Sequence, residues 1–340
     1  MELFLESLGE KRFRAKQIFQ WICKGASGFD EMTNLSSELR DKLSVNAEIR
    51  KLRILAVQKS EKDGTRKYLF GLEDGNSIES VFMKYKFGNT VCISSQAGCR
   101  MGCSFCASAI NGLQRNLTAG ELVDQILSIE KDTGEKVGNI VVMGTGEPLD
   151  NYENLSKFIE MIHDKSGLNI GMRSITVSTC GLVPRMLDIA GDFPQINLAV
   201  SLHAPNDAIR NKMMPISKRY PMDQLLEACR RHVAMTGRRI TFEYALVKGL
   251  NDSDKNAEEL AAKLRGMNCH VNLIPLNRVA ETGLYGTERT DAEHFRGILE
   301  KRGIQVTIRR ELGSDIDAAC GQLRLKNQGN QFPDLPVIGS

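Results

Sequence analysis

The sequence predicts an α/β fold: a partial barrel of six strand–helix units, preceded by a small helical module and a connecting β-meander. Three observations carry this. Beyond residue 90, short apolar runs rich in β-branched residues alternate with amphipathic helical stretches, the order that yields a parallel sheet covered by helices. Ahead of that point the hydrophobic period is helical to about residue 48 and strand-like from about 51. Finally, three cysteines spaced C-x3-C-x2-C, Cys99, Cys103 and Cys106, follow directly on the first of the parallel strands, at the carboxyl end where such folds place their ligands.

Taken in order, Lys11 to Lys24 carries Phe13, Ile18, Phe19 and Ile22 at helical spacing, and Leu35 to Leu43 forms a second helix capped by Asn34 or Ser36. Three strands follow, in Arg53–Gln58, Arg66–Phe70 and Ser77–Met83, separated by Lys62-Asp-Gly and Glu73-Asp-Gly turns. The barrel strands are expected at 90–95, 139–143, 174–177, 197–202, 241–247, 270–275 and 305–309. Helices are expected between them at 118–131, 151–164, 183–190, 221–236, 253–265 and 291–301. The β-branched content of these strands fits burial on both faces. A doubly wound open sheet is the second choice of topology. This divides the chain into a helical module (1–50), a connecting β segment (51–88), a barrel with a C-terminal loop (89–325) and a loose tail (326–340).

Composition bounds the function. With 41% hydrophobic and 26% charged residues and no apolar run long enough to span a bilayer, the 340-residue chain reads as a cytoplasmic globular protein without membrane attachment. Nine cysteines, an odd count unevenly spread, argue for chemically used thiols over a disulfide framework. The net charge of +3 announces no polyanion partner. Basic residues nevertheless cluster, at Lys11, Arg12, Arg14 and Lys16, at Arg230, Arg231, Arg238 and Arg239, and at Arg309, Arg310, Arg324 and Lys326. Such clusters suit phosphate contacts or simply solvated helix faces.

Three thiolates in one loop can hold a four-iron cube and leave one iron open, and an open metal position is the mark of catalysis. Structural zinc and unliganded thiols are the alternatives. After the second strand comes Met143-Gly-Thr-Gly-Glu-Pro148, a turn whose backbone can approach a ligand and whose Glu147 can meet a positive group. Later strands end in Ser178-Thr-Cys-Gly181, Ser201-Leu-His-Ala-Pro205 and Ile274-Pro-Leu-Asn277. Hydroxyls and amides there can bind a polar ligand or cap the next helix.

The cysteine loop with Phe105 before its last cysteine, the Gly-Glu-Pro turn and the later strand-end hydroxyls resemble the radical S-adenosylmethionine superfamily. More narrowly, Ile93-Ser-Ser-Gln-Ala-Gly-Cys99, Arg115-Asn-Leu-Thr118, Ser201–Pro205, Met214-Pro-Ile216 and Ser314-Asp-Ile-Asp-Ala-Ala-Cys-Gly-Gln-Leu323 resemble the RlmN family, which methylates carbon 2 of an adenine in 23S ribosomal RNA. The resemblance implies a [4Fe-4S] cluster on Cys99, Cys103 and Cys106, and two S-adenosylmethionine molecules per turnover. One methylates Cys320, and the other gives a 5′-deoxyadenosyl radical that activates that methyl group. It further implies Cys92 as the resolving cysteine, in a transient disulfide with Cys320, and Glu79 as proton acceptor. Gly146 and Glu147 would bind the methionine amino group, and Ser178, Ser201, Leu202, His203 and Asn277 would contact the cofactor. Implied partners are 23S ribosomal RNA, with transfer RNA as a second candidate, and a flavodoxin- or ferredoxin-like electron donor; the enzyme would be a monomer.

Read without the resemblance, Cys92 is a buried strand cysteine, Glu79 a solvated strand glutamate, and Cys23, Cys180, Cys229 and Cys269 packing residues. The related Cfr family, which modifies carbon 8 of the same adenine, is the first alternative. Pro148 after Gly-Glu and the Arg309-Arg-Glu-Leu-Gly segment favour RlmN, whereas Met83-Lys-Tyr-Lys86 fits either. A non-catalytic RNA-binding protein with a structural metal is the other alternative, and it would have no use for Cys92 and Cys320.

Overall fold

A computed structural model describes residues 1–275, 283–310, 312–313, 315–316 and 323. Asn277, Cys320 and the tail from 326 lie outside the described residues. The N-terminal module holds α1 (Glu2–Ser7), α2 (Phe13–Cys23) and α3 (Ser37–Asn46). Ser36 caps α3 by accepting from the Leu39 N–H, and Leu5, Ile18, Met32, Leu39 and Leu43 form a core of their own. The short α1 escaped the sequence reading, its six residues being too few to establish a period.

The meander strands are β1 (Arg53–Lys59), β2 (Arg66–Gly71) and β3 (Ser77–Tyr85). They do more than connect. β3 pairs antiparallel with β4 (Gly88–Ile93), so the meander continues the barrel sheet, whose ten strands run β1-β2-β3-β4-β7-β8-β9-β10-β11-β12. Its parallel part runs from β4 through β7 (Asn139–Val142), β8 (Ile175–Thr179), β9 (Asn197–Ser201), β10 (Ile240–Leu246) and β11 (Cys269–Pro275) to β12 (Gln305–Ile308). A small pair, β5 (Gln96–Gly98) and β6 (Leu113–Asn116), stands apart. The crossover helices are α4 (Ala119–Thr133), α5 (Tyr152–His163), α6 (Val183–Asp192), α8 (Met222–Thr236), α9 (Asp254–Leu264) and α10 (Arg289–Lys301), with the short α7 (Asp207–Met213) before α8. Six strand–helix units closing on a seventh parallel strand make the partial barrel. Among the described residues no helix is long and apolar enough to cross a membrane.

Because successive strand residues face opposite sides, the register sorts the sheet into two surfaces. Val91, Ile93, Ile140, Val142, Ile175, Val177, Leu198, Val200, Phe242, Tyr244, Val271 and Leu273 share one core with the apolar stripes of the helices. Each fully buried large side chain there contributes about 1.5–3 kcal/mol. The intervening residues follow one another across the sheet as register partners, Cys92 with Val141, Val141 with Thr176, Ser178 with Ala199, Ser201 with Glu243, Glu243 with Asn272 and Asn272 with Thr307. This second face is largely polar and, at Thr176, Ser178, Ser201 and Asn272, partly exposed. Burial on both faces, expected from the β-branched content, is thus corrected: helices seal only the outer surface, and the concave one is left to hold ligands.

Candidate cofactor and thiol site

The cysteine loop is built as a flap closed by β5 and β6. The Cys99 N–H donates to Gly112 O at 3.0 Å, and Gly98 in β5 is held at φ +77° where a Cβ would stand 1.9 Å from that same oxygen, so only glycine fits. Arg115 in β6 forks onto Glu121 at 2.9 and 2.7 Å, and Glu121 closes a capping box with Thr118, which locks the flap to the start of α4. Ser104 N–H donates to Met213 O at 2.9 Å, and the Phe105 ring meets His203 edge-on at 4.8 Å, so the loop lies over the carboxyl ends of the strands.

His203 itself is a rigid support. Its backbone is at φ +55°, its carbonyl accepts from Asn251 Nδ2 at 2.7 Å, and its Nδ1 accepts from the Ala245 N–H at 2.9 Å. A backbone N–H can only donate, which fixes the proton on Nε2. Burial, aided by the charge of Arg210, drives its pKa down to about 3, so the ring stays neutral.

Gly144 and Gly146 face the strand ends closely, since a Cβ on Gly144 would lie 2.7 Å from Ile93 O and one on Gly146 2.6 Å from the Gln96 Cβ. Gln96 ties the parts together, accepting from Glu147 N–H at 2.8 Å and donating to Asp150 at 2.9 Å, which in turn takes Arg100. The Glu147 carboxylate is buried and accepts from two backbone donors, Cys180 N–H at 2.7 Å and Leu149 N–H at 3.1 Å, and from the side chains of Cys180 and Thr179. Burial pushes its pKa above the ordinary carboxylate value, and these hydrogen bonds pull it back.

The chemistry of this donor set fits an iron-sulfur cluster with a cationic ligand. Burial first, and neighbouring thiolates and Glu147 next, push Cys99 up to about 12 and Cys103 higher still. Three thiolates beside a buried carboxylate are tolerable only against positive charge, which iron and the ammonium of S-adenosylmethionine carry. Two buried polar atoms lack hydrogen-bond partners here: Ser95 Oγ, 2.7 Å from where a Gly146 Cβ would stand, and Arg210 Nη1. The rest of the fully buried Arg210 guanidinium is spent on Cys180 O at 2.7 Å, Ser201 O and Leu202 O. Neither Ser95 nor Arg210 was legible as a site residue. Ser95 lies inside the Ile93–Cys99 motif with nothing local to single it out, and Arg210 lies between the Ser201–Pro205 and Met214–Ile216 motifs.

The structure brings Cys99, Cys103, Cys106, Gly146, Glu147 and His203 to one mouth, with Ser178 and Ser201 on the concave face below. Leu202 is placed differently. Its side chain is in the outer core, its N–H donates to Glu243 O and its carbonyl takes Arg210. Asn277 lies outside the described residues. Cys23, Cys180, Cys229 and Cys269 are buried, and none of the eight described cysteines is in a disulfide. Among the described residues, no three His, Cys, Asp or Glu side chains close around a single ion.

A second cluster lies along β3 and β4. Glu79 is 3% exposed, against the expectation of a solvated residue, because the Lys67 ammonium, itself fully buried, lies 3.0 Å from its carboxylate. The β2–β3 pairing puts Leu69 opposite Glu79 and Lys67 opposite Val81, all on one face, and Val81 stands opposite Cys92. Cys92 packs with Val81, Met83, Val141 and Met143, and Leu312 closes the group. The chain beyond β12 is tied to the β1–β2 turn: Gly313 N–H donates to Asp63 at 2.9 Å, and Asp315 accepts from Ser60 Oγ at 2.6 Å and Glu61 N–H at 2.9 Å. Cys320, outside the described residues, follows Leu312 by eight positions.

Comparison with known proteins agrees with this geometry. The radical SAM superfamily pattern matches residues 93–261, and that of the ribosomal RNA large subunit methyltransferase N-terminal domain matches residues 1–49. The dual-specificity RNA methyltransferase RlmN of Desulforamulus reducens is 58% identical, over 94% of this chain and 92% of its own. That of Alkaliphilus oremlandii is 55% identical over 97% and 96%. The crystal structure of a radical SAM methyltransferase from Sphaerobacter thermophilus superimposes with a TM-score of 0.89 at 47% identity, covering 94% of this chain and 95% of that one. With more than half its residues identical to these relatives along nearly its whole length, the chain belongs to the RlmN family of radical S-adenosylmethionine RNA methyltransferases.

Proposed function

We propose that the protein methylates carbon 2 of an adenine in 23S ribosomal RNA, with transfer RNA as a second substrate, by way of an S-methylated Cys320. The family's [4Fe-4S] cluster and S-adenosylmethionine supply, when bound, a methyl cation equivalent in one use and a hydrogen-abstracting 5′-deoxyadenosyl radical in the other. Carbon 2 of adenine is neither acidic nor nucleophilic, which is why polar methyl transfer to it fails. In this reading Cys99, Cys103 and Cys106 hold the cluster, Gly146 and Glu147 receive the methionine amino group, Ser178 and Ser201 line the same mouth, Asn277 contacts the cofactor as the resemblance implies, and His203 orients Phe105 of the flap. The Cys320 thiolate takes the methyl group by displacement. In the adduct that joins the Cys320 methylene to carbon 2, Glu79 would accept the carbon-2 proton and Cys92 would attack the Cys320 sulfur, breaking the sulfur–methylene bond; the released methylene would take up a proton to become the methyl group, and the Cys92–Cys320 disulfide would be left for an external thiol to reduce.

The observation that carries this reading is the single face of β3 and β4 on which Glu79 and Cys92 stand beside Leu312, in the segment that leads to Cys320. A buried glutamate balanced by Lys67 and a buried thiol next to the incoming chain suit a proton acceptor and a resolving cysteine better than they suit packing. The helical module 1–50, with Arg12 just before α2 and Arg14 and Lys16 on it, would contact RNA. The meander 51–88 then belongs to the catalytic face and 89–325 to the barrel. A cytoplasmic monomer reduced by a flavodoxin- or ferredoxin-like donor completes the reading.

The test is anaerobic reconstitution followed by mass mapping of methylated adenine in 23S ribosomal RNA from a strain lacking the enzyme. Wild type should yield 2-methyladenine, Cys320→Ala none, and Cys92→Ala a trapped RNA–protein crosslink. Methylated product from Cys320→Ala overturns the mechanism, and 8-methyladenine from wild type overturns the assignment of carbon 2.

A further inference from the structure

The tip of the β3–β4 hairpin is chemically out of place. Tyr85 pairs with Gly88, so Lys86 and Phe87 form a two-residue turn, a position folding usually gives to Asn, Asp or Gly. Phe87 instead presents its ring to solvent, 74% exposed, stacked on Tyr85 with centroids 4.9 Å apart and planes within 9°. The stack does nothing for the core, since Phe87 belongs to no buried cluster. Tyr85 does reach inward, where it packs against Val81, Met83 and Cys92, and Met83 Sδ accepts from its hydroxyl at 3.7 Å. The two rings thus form a ledge running from solvent to the thiol of the second cluster.

The charge around the ledge is positive. Lys86, Arg309 and Arg310 are exposed, and none of the three enters an ion pair among the described residues; Lys84 is spent on Glu135. Arg309 and Arg310 act on the Tyr85 hydroxyl, opposing the upward push that burial gives its pKa. The hairpin enters β4 at the end opposite the cysteine flap, and a six-residue strand separates the two by about 20 Å. A large substrate can therefore approach the concave face without displacing the flap.

We propose that Tyr85 and Phe87, flanked by Lys86, Arg309 and Arg310, form a stacking platform for an unpaired base of the RNA substrate several nucleotides away from the one being modified. Exposed aromatic faces ringed by unpaired cations are what single-stranded and loop RNA selects, through base stacking along the rings and phosphate contacts beside them. The inference rests on the reading that RNA is the substrate, and it adds where that RNA lies.

The experiment uses the full-length, cluster-loaded protein. Fluorescence anisotropy measures its affinity for a fluorescein-labelled single-stranded RNA of about 12 nucleotides, and steady-state methylation of undermethylated 23S ribosomal RNA gives KM and kcat. Phe87→Ala should weaken RNA binding about 5- to 100-fold with an unchanged salt slope, and raise KM more than it lowers kcat. Phe87→Trp should restore affinity to within about twofold, which a merely structural role would not produce. Lys86→Ala should weaken binding and reduce the slope of log affinity against log salt by about 0.7. Phe87→Ala binding within about twofold of wild type overturns the platform. So does a defect confined to reduction by an acidic electron-transfer protein, which would make the ledge a protein-docking surface. Wild-type protein that binds the RNA yet leaves it unmethylated counts against the proposed reaction, and the binding comparison still decides the platform.

Discussion

Glu147 and Glu79 are the same residue buried to the same extent, each 3% exposed, yet their surroundings are opposites. Glu79 has a buried ammonium at 3.0 Å. Glu147 has two backbone N–H donors, the side chains of Thr179 and Cys180, and the thiols of Cys99 and Cys103 near it, and burial raises its pKa. A third glutamate, Glu243, stands between them: it accepts from Asn272 Nδ2 at 2.9 Å, and burial raises its pKa against the pull of Asn272 and Arg309. The difference teaches what each site expects. Glu79 carries its counter-ion within the fold, whereas burial holds the Glu147 carboxyl toward its neutral form against the hydrogen bonds it accepts.

The comparison breaks most sharply at Lys67. Lys67→Met should lower stability in denaturant unfolding by about 3–5 kcal/mol, because it strands a buried charge, and adding Glu79→Leu should return most of that loss. Single and double variants of equal stability would mean the pair is not coupled. Next in size, Glu147→Gln should weaken S-adenosylmethionine binding by about 1.5–3 kcal/mol, the worth of a charge-assisted hydrogen bond, when measured by calorimetry on the cluster-loaded protein. Unchanged affinity would remove Glu147 from the methionine site.

Proton linkage sharpens the same contrast. A carboxyl whose folded pKa lies above its unfolded value of 4.5 contributes its full stability below that pH and loses it as pH rises through the folded value. The cluster-free protein should therefore lose stability as pH rises above 4.5, and cofactor loading should flatten that fall by stabilising the charged carboxylate. Thermal melts across pH with and without cofactor measure both slopes; parallel slopes would show that Glu147 meets no cation. The smallest effect belongs to Glu243, where Asn272→Leu should cost about 1–2 kcal/mol by leaving the carboxylate without its amide donor. Calorimetric unfolding reads this directly.

How much of this could be read along the chain depends on whether the signal is local. The flap cysteines fall within eight residues, so any fold that keeps the loop must keep them close. Helices such as α4 declare themselves through a capping box and an apolar stripe, both set by residues a turn or two apart. Strand positions could be placed within a few residues for similar reasons. Glu79 could not be read from its own neighbours as anything but solvated, since in Ser77-Ile-Glu-Ser-Val nothing shows what lies opposite. Its role came only through the family resemblance. Leu202 went the other way: its motif marks it as a contact, but strand alternation turns its side chain into the outer core.

By itself, then, the sequence determined the succession of six strand–helix units, the cysteine loop at the first strand's end and the glycine turn at the second, because periods of two and 3.6 residues and tight-turn chemistry act over short stretches. Tertiary structure alone decided which face of each strand is concave, that Lys67 meets Glu79, that Arg210 reaches three carbonyls at the mouth, and that Tyr85 joins an exposed Phe87 to the Cys92 pocket. Those are matters of register between strands. A shift of one residue reverses every side chain, and the register is fixed only when the outer apolar face finds its helices.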